Sequence, residues 1–142
     1  LMAASGIGGK LAAGWLVDRI DARAVLAGVL GIHAFGWALV ATQTSYPLLL
    51  VAAVPLGVGG GGFLPLPPVL LGRCFGRDAI GRVGGLHGLL HLPLLLAAAP
   101  AVGWVEGLTG GFRVPFLGLA AALLLAAAVF VGLRVPEVEP GR

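Results

Sequence analysis

Four of the charged side chains in this chain lie in one short stretch, GWLVDRIDAR, at residues 14–23. Asp18, Arg19, Asp21 and Arg23 fall within six positions, and apolar residues precede and follow them. A carboxylate at such a place can interact with the N-terminus of a neighbouring helix, and a guanidinium can pair with a carboxylate through two hydrogen bonds. Contacts of this kind, formed in one conformation only, would bias an equilibrium between two conformations.

Three further titratable side chains within apolar segments are candidates for a function. Lys10 precedes Asp18 by eight residues, which is about 12 Å along a helix. This places Lys10 within the hydrocarbon layer of a membrane unless its side chain snorkels. Lys10 is therefore either a structural cation or a charge linked to a substrate or a proton. His87 and His91 are four residues apart and share one helix face.

The two histidines allow three interpretations. They could ligate a metal, but no third ligand is evident nearby, and we predict no metal site. They could act as a protonation switch, or they could form hydrogen bonds within a helix bundle. We interpret His33 as structural or interfacial and Cys74 as a free thiol. Nothing in the sequence predicts a catalytic residue or a cofactor site.

The composition indicates that the segments that carry these residues lie in a membrane. Of the 142 residues, 58% are hydrophobic and only 11% are charged, whereas a soluble domain is about 25% charged. The nine Lys and Arg residues are scattered between apolar runs, so no basic stripe indicates binding to nucleic acid.

Apolar segments long enough to span a bilayer predict an all-α integral membrane protein, because backbone groups in lipid must be paired within the segment. The chain begins inside an apolar run, so we expect it to be the C-terminal part of a longer protein. We predict a truncated transmembrane helix at 1–17, full transmembrane helices at 24–42, 48–71, 83–104 and 114–133, and a tail at 134–142.

Charges in the connecting loops alternate along the chain. The turn at 18–23, the loop at 72–82 and the tail hold seven arginines, whereas the other two loops hold only Arg113. By the positive-inside rule, the arginine-rich loops and the C-terminus are predicted to be cytoplasmic. This orientation fits a multi-pass protein of the plasma (bacterial inner) membrane.

Small residues and prolines indicate how the helices would pack. Gly57 and Gly61, and likewise Gly84 and Gly88, are four residues apart, and such pairs allow helix backbones to approach closely in lipid. The prolines at 65, 67 and 68 remove N–H donors from the segment 48–71, so carbonyl groups one turn earlier need other partners.

One pattern in the chain resembles the cytoplasmic loop signature of the major facilitator superfamily. It consists of Gly14, Leu16, Asp18, Arg19 and Arg23. That signature lies between helices two and three of the family and again between helices eight and nine. The stretches 57–77 and 106–116 resemble the tenth helix with its loop and the loop before the twelfth helix. The resemblance covers essentially the whole chain and is of the bacterial monocarboxylate-transporter-like or general type.

Three positions depart from the family pattern. Asp21 stands where a glycine is frequent, Lys10 where an arginine is frequent, and Arg73 where an acidic residue is frequent. These departures affect the expected contacts of the cytoplasmic gate rather than the family membership.

The resemblance implies a partial C-terminal bundle, from the end of helix eight through helix twelve, with the missing N-terminal half as its partner. It implies transport of a small-molecule substrate by alternating access, with a coupled proton as an option, in contact with membrane lipid and without enzymatic activity. The gating loop would consist of Gly14, Asp18, Arg19 and Arg23. The candidates for substrate or proton coupling are Lys10, His87 and His91.

Two other functions stay open at this point. The chain could be a small membrane protein that assists the assembly of another complex, or a non-functional fragment of a transporter gene. The reading frame upstream of Leu1 would distinguish them, because a transporter requires about seven more helices there.

Overall fold

The structure, a computed structural model, describes residues 1–76 and 79–132; Arg77, Asp78 and the tail predicted at 134–142 lie outside it. The described residues form six helices and no strand: α1 (Met2–Val17), α2 (Ala22–Thr42), α3 (Tyr46–Phe63), α4 (Leu66–Phe75), α5 (Ile80–Thr109) and α6 (Arg113–Gly132). Four stretches are long and apolar enough to cross a membrane, namely Ala22–Thr42, Tyr46–Phe75, Ile80–Thr109 and Arg113–Gly132. The prediction of an all-α chain with four full spans is confirmed.

Local sequence explains where several helices begin and end. The carboxylate of Asp21 accepts a hydrogen bond from the backbone N–H of Arg23 at 2.9 Å and thereby caps the N-terminus of α2. Gly76 ends α4 with φ of 77° and Gly110 ends α5 with φ of 72°. Both dihedral angles lie in the left-handed region, where glycine has no steric penalty.

The span Tyr46–Phe75 is divided into α3 and α4 at residues 64–65. Pro65 has no N–H to donate to the carbonyl of Gly61, and that carbonyl instead accepts the N–H of Leu64 at 3.3 Å. The span predicted at 48–71 thus contains a turn that its prolines impose.

Helix α3 packs against both α1 and α2 because it lacks side chains where they approach. A Cβ atom at Gly57 would collide with the hydroxyl of Ser5 and the carbonyl of Met2, and one at Gly61 would collide with the backbone of Gly6. The pair Gly57 and Gly61 therefore does what its spacing predicts: it allows two backbones to approach to contact distance.

The pair Gly84 and Gly88 on α5 behaves differently. A Cβ atom at either position would meet nothing within 4 Å among the described residues. Within the described part of the chain, α5 contacts only α4 and α6 and has no buried residue. The same spacing therefore supports close packing in one helix and leaves an open face in the other.

The apolar core lies where the C-terminal end of α1, the first half of α2 and the start of α4 meet. Leu66 is fully buried, and Val17, Ala22 and Leu26 are each 2% exposed. This core is directly adjacent to the turn that carries the charged residues 18–23.

Replacement of Gly61 by alanine tests the contact between α1 and α3. The new methyl group would overlap the backbone of Gly6, so we expect the free energy of unfolding to fall by about 1–3 kcal/mol, the range for overpacking. Gly60→Ala is the matched control, because its Cβ would lie an ordinary 3.5 Å from the His33 ring. The measurement is unfolding by sodium dodecyl sulfate in mixed micelles, followed by circular dichroism. Equal effects of the two substitutions would contradict the packing.

Candidate functional site

The residues 18–23, which we call the charged loop, connect the two helices that contribute most of the core. Val17 precedes the loop and Ala22 is within it, and both are buried. The side chains of Asp18, Arg19 and Asp21 are exposed. The loop therefore combines a buried apolar base with three exposed charged side chains.

Asp21 and Arg23 form the ion pair of this loop. The Asp21 carboxylate accepts hydrogen bonds from the Arg23 backbone N–H at 2.9 Å and from Nε at 3.3 Å, and its Oδ2 lies 3.1 Å from Nη2. The hydrogen bond from the Arg23 backbone, followed by that from its side chain, lowers the pKa of Asp21 below its ordinary value of 3.8. The cap is therefore fully formed above pH 3.8, and its contribution is lost as the pH falls through the lowered pKa.

Arg19 interacts with an aromatic ring rather than with a carboxylate. Its guanidinium carbon lies 3.9 Å from the centroid of the Trp15 ring, which is the geometry of a cation–π contact. This contact holds the Arg19 side chain against the last turn of α1.

Arg73 of α4 binds the end of α1. Its Nη2 donates a hydrogen bond of 2.8 Å to the carbonyl oxygen of Val17, the last residue of the helix. The last carbonyl groups of a helix have no partner within it, and a positive charge at this end is favourable. Arg73 therefore links α4 to α1, although the sequence suggested only that it departs from the family pattern.

Asp18 and Gly14, the other two residues of the predicted gating motif, make no such contact. Within the described residues the Asp18 side chain forms no hydrogen bond and no ion pair, and a Cβ atom at Gly14 would meet nothing within 4 Å. The structure thus brings the four motif residues to one end of the bundle and leaves the Asp18 carboxylate available.

The candidates for substrate or proton coupling lie on two different helices. Lys10 is exposed on α1. His87 and His91 are exposed on α5, with parallel rings whose centroids are 5.8 Å apart and whose planes differ by 10°. Their helical spacing thus stacks the two imidazoles, and no set of three His, Cys, Asp or Glu residues in the described ranges could hold a metal ion.

An open groove of about 720 Å³ lies between α2, α5 and α6, and sequence reasoning did not identify it. Imidazoles of His33 and His91 line it, together with Trp37, Phe112 and Phe116. The ring of Trp37 lies 6.2 Å from that of His33 and 5.0 Å from that of Phe116. Phe112 and Phe116 are four residues apart, but Trp37 is distant from both in sequence, so no local motif could have revealed that the three rings meet in one aromatic wall.

His33 also lies against α3 in a way that its sequence context did not indicate. A Cβ atom at Gly59 would be 2.7 Å from His33 Nδ1, so this imidazole packs on the bare backbone of α3. Nδ1 is buried and forms no hydrogen bond of full geometry in the described part of the chain, although the imidazole interacts with the backbone carbonyl of Leu56 on α3. Such an atom calls for an explanation, because buried polar atoms are normally paired.

Replacement of Arg73 by glutamine tests the link between α4 and α1. We expect the free energy of unfolding in mixed micelles to fall by about 1.5 kcal/mol, the lower end of the range for hydrogen bonds that involve a charged group. Arg82→Gln is the control, because Arg82 is exposed on α5 and the substitution is the same. If Arg73→Gln is as stable as the control, the hydrogen bond to Val17 does not support the fold.

Comparison with known proteins gives consistent results. The family model of the Major Facilitator Superfamily matches residues 1–142. The chain is 31% identical over 143 aligned positions to the "Probable nitrate/nitrite antiporter NarK1" of Thermus thermophilus, covering 94% of this chain and 32% of that protein. It is 32% identical over 130 positions to the "Putative niacin/nicotinamide transporter NiaP" of Bacillus subtilis, covering 87% of this chain and 30% of that protein.

A more distant relative, "Monocarboxylate transporter 12" of Mus musculus, is 21% identical over 131 positions, covering 89% of this chain and 27% of that protein. The chain therefore spans about a third of the length of these relatives. No solved structure matches it significantly. The family model, the relatives and the four apolar spans together show that this multi-pass membrane chain belongs to the Major Facilitator Superfamily, a family of membrane transporters.

Proposed function

We propose that the chain is the C-terminal portion of a secondary active transporter that moves a small solute by alternating access. The observation that carries this proposal is the charged loop. It is held at its base by the core, by the Asp21–Arg23 pair and by Arg73, while Asp18 has no partner among the described residues. A loop of this kind can bind a second body in one conformation and release it in another.

The second body in this proposal is the N-terminal half of the transporter. The relatives are about three times as long as the chain, and α5 has no buried residue. A helix this apolar and this open would be covered in the longer protein by other helices or by lipid. In the proposed orientation the charged loop is on the cytoplasmic side of the plasma membrane, as the arginine distribution predicts.

Within this account, Asp18 forms the contact that closes the cytoplasmic gate, and Arg19 and Arg23 position the loop. Gly14 leaves open space on the side of α1, because a Cβ there would meet nothing within 4 Å of the described residues. Closure would allow the Asp18 carboxylate to reach a helix N-terminus or an arginine of the other half.

The proposed substrate is a small anion. The relatives are named for nitrate and nitrite, for niacin and nicotinamide, and for monocarboxylates, and most of these are small anions. Lys10 is a cation inside the apolar part of α1, where an unpaired charge is costly and therefore suggests a function. His87 and His91, whose rings stack with centroids 5.8 Å apart on α5, would carry the coupled proton.

Uptake by the longer protein in proteoliposomes tests the proposal, with labelled nitrate, nicotinate and lactate as probes. We expect uptake of at least one probe. Asp18→Asn should reduce its initial rate about tenfold, which corresponds to a shift of about 1.4 kcal/mol between the two conformations. Asp21→Asn is the matched comparison, because asparagine can still cap α2 while the ion pair with Arg23 is lost, and we expect it to reduce the rate less than Asp18→Asn does.

Two results would contradict the proposal. One is the absence of uptake of all three anions by a folded protein. The other is an equal loss of rate in Asp18→Asn and Asp21→Asn, because this would show that Asp18 contributes only as a charge near the helix ends.

A further inference from the structure

We propose that Arg73 is a positioning residue for Asp18: its charge offsets the negative end of α1, beside which the Asp18 carboxylate lies while the gate is open. This role rests on the proposed function, in which Asp18 forms the gate contact. The readiness of the gate to close then depends on the electrostatic surroundings of Asp18 within the chain as well as on its partner in the other half.

The two carboxylates of the charged loop lie at opposite ends of two helices. Asp21 caps the N-terminus of α2, where the partial charge of a helix is positive, whereas Asp18 is the C-cap residue of α1, where it is negative. Asp18 has helical backbone angles, with φ of −79° and ψ of −14°, so its side chain leaves from the last turn itself. The carboxylate of Asp21 is therefore favoured where it lies, and that of Asp18 is disfavoured.

The turn after α1 leaves one carbonyl group of this negative end to Arg73. The carbonyl of Leu16 accepts two backbone N–H groups of the turn, each at 2.9 Å. The carbonyl of Val17 accepts no backbone N–H of the described residues, and Nη2 of Arg73 donates to it at 2.8 Å. Since Val17 directly precedes Asp18, Arg73 brings a full positive charge to the point where the helix end and the carboxylate repel each other.

The other two described arginines of this region are engaged elsewhere. Arg19 lies over the ring of Trp15, 3.9 Å from its centroid, and Arg23 pairs with Asp21. Arg73 donates to a neutral carbonyl and forms no ion pair among the described residues, so no carboxylate there cancels its charge. The pKa of Asp21 is lowered mainly by the hydrogen bonds from Arg23, and the charge of Arg73 lowers it further. The charge of Arg73 therefore acts on the loop.

The charge of Arg73 stabilises the conformation in which Asp18 has no partner. When the gate closes, the Asp18 carboxylate turns toward the other half and away from the end of α1, so it depends less on Arg73. A charge at a helix end changes an equilibrium constant by about two- to fivefold. Loss of Arg73 should therefore shift the equilibrium toward the closed gate by a factor of this size.

Uptake kinetics of the proposed full-length transporter in proteoliposomes test this role, with whichever of labelled nitrate, nicotinate and lactate is taken up. We expect Arg73→Gln to lower kcat by up to about fivefold and to lower KM as well, because more molecules then face outward with the gate closed. Damage to the fold would lower kcat without lowering KM. Arg73→Lys keeps a positive charge at the helix end and should restore both constants, and Arg82→Gln is the control.

A second measurement requires no transport. The folding equilibrium constant of the chain in mixed micelles is compared for Arg73→Gln alone and for its combinations with Asp18→Asn and with Asp21→Asn. Adding Asp18→Asn should raise the constant about two- to fivefold, because asparagine places no charge at the negative helix end. Adding Asp21→Asn should lower it, because the same change removes a favourable charge from a positive end. With Arg73 in place, Asp18→Asn should change the constant little.

A KM that rises in Arg73→Gln, or a failure of Arg73→Lys to restore the kinetic constants, would overturn the proposal. So would an equal effect of Asp18→Asn with and without Arg73. If Arg73→Gln alone does not fold, the double variant with Asp18→Asn should fold, and its failure to do so counts against the proposal as well. If none of the three anions is taken up, the proposed function fails, whereas the folding constants still decide whether Arg73 offsets the helix end beside Asp18.

Discussion

The rest of the structure depends on how closely α1 and α2 approach α3. In a membrane there is no hydrophobic gain from bringing two apolar helices together, so association relies on packing and on a few polar contacts. Gly57 and Gly61 place α3 against the backbone of α1, and Gly59 places it against His33 of α2. With α1 and α2 fixed on one helix, the ends of both lie close together, and the core around Val17 and Leu66 forms beneath the loop that joins them.

The geometry of the charged loop follows from this packing. The contacts that hold it come from two residues that depart from the family pattern: Asp21 caps α2 and pairs with Arg23, and Arg73 binds the last carbonyl of α1. The motif residue Asp18 has no partner in the described part of the chain. In the proposed function, local stability and gating therefore depend on different side chains, so that the proposed gate contact of Asp18 could form and break without unfolding the helix ends.

The sequence predicts the spans well, because hydropathy and length are properties of each segment alone. It also predicts the close approach at Gly57 and the need of carbonyl groups before the prolines for other partners, since both follow from local chemistry, but it predicts one span at 48–71 and not the turn that divides α3 from α4. The sequence does not distinguish the pair Gly57 and Gly61 from the pair Gly84 and Gly88. The first pair faces α1 and the second faces no described residue, and this difference depends on which helices meet. The environment of His33, the bond from Arg73 to Val17 and the aromatic wall depend in the same way on contacts between distant segments.

The most direct test of the central claim uses Cys74, the single cysteine of the chain, which is half-buried next to Arg73. The measurement is the rate at which a membrane-impermeant maleimide labels Cys74 from each side of sealed vesicles that contain the proposed full-length transporter, with its other cysteines replaced. If the α1–α4 junction is part of a cytoplasmic gate, labelling occurs from the cytoplasmic side only. A transported anion then changes the labelling rate by about threefold or more. Such a change corresponds to a shift of about 0.6 kcal/mol in the equilibrium between the two conformations. Labelling from the outer side, or a rate that the anion leaves unchanged, would contradict the account.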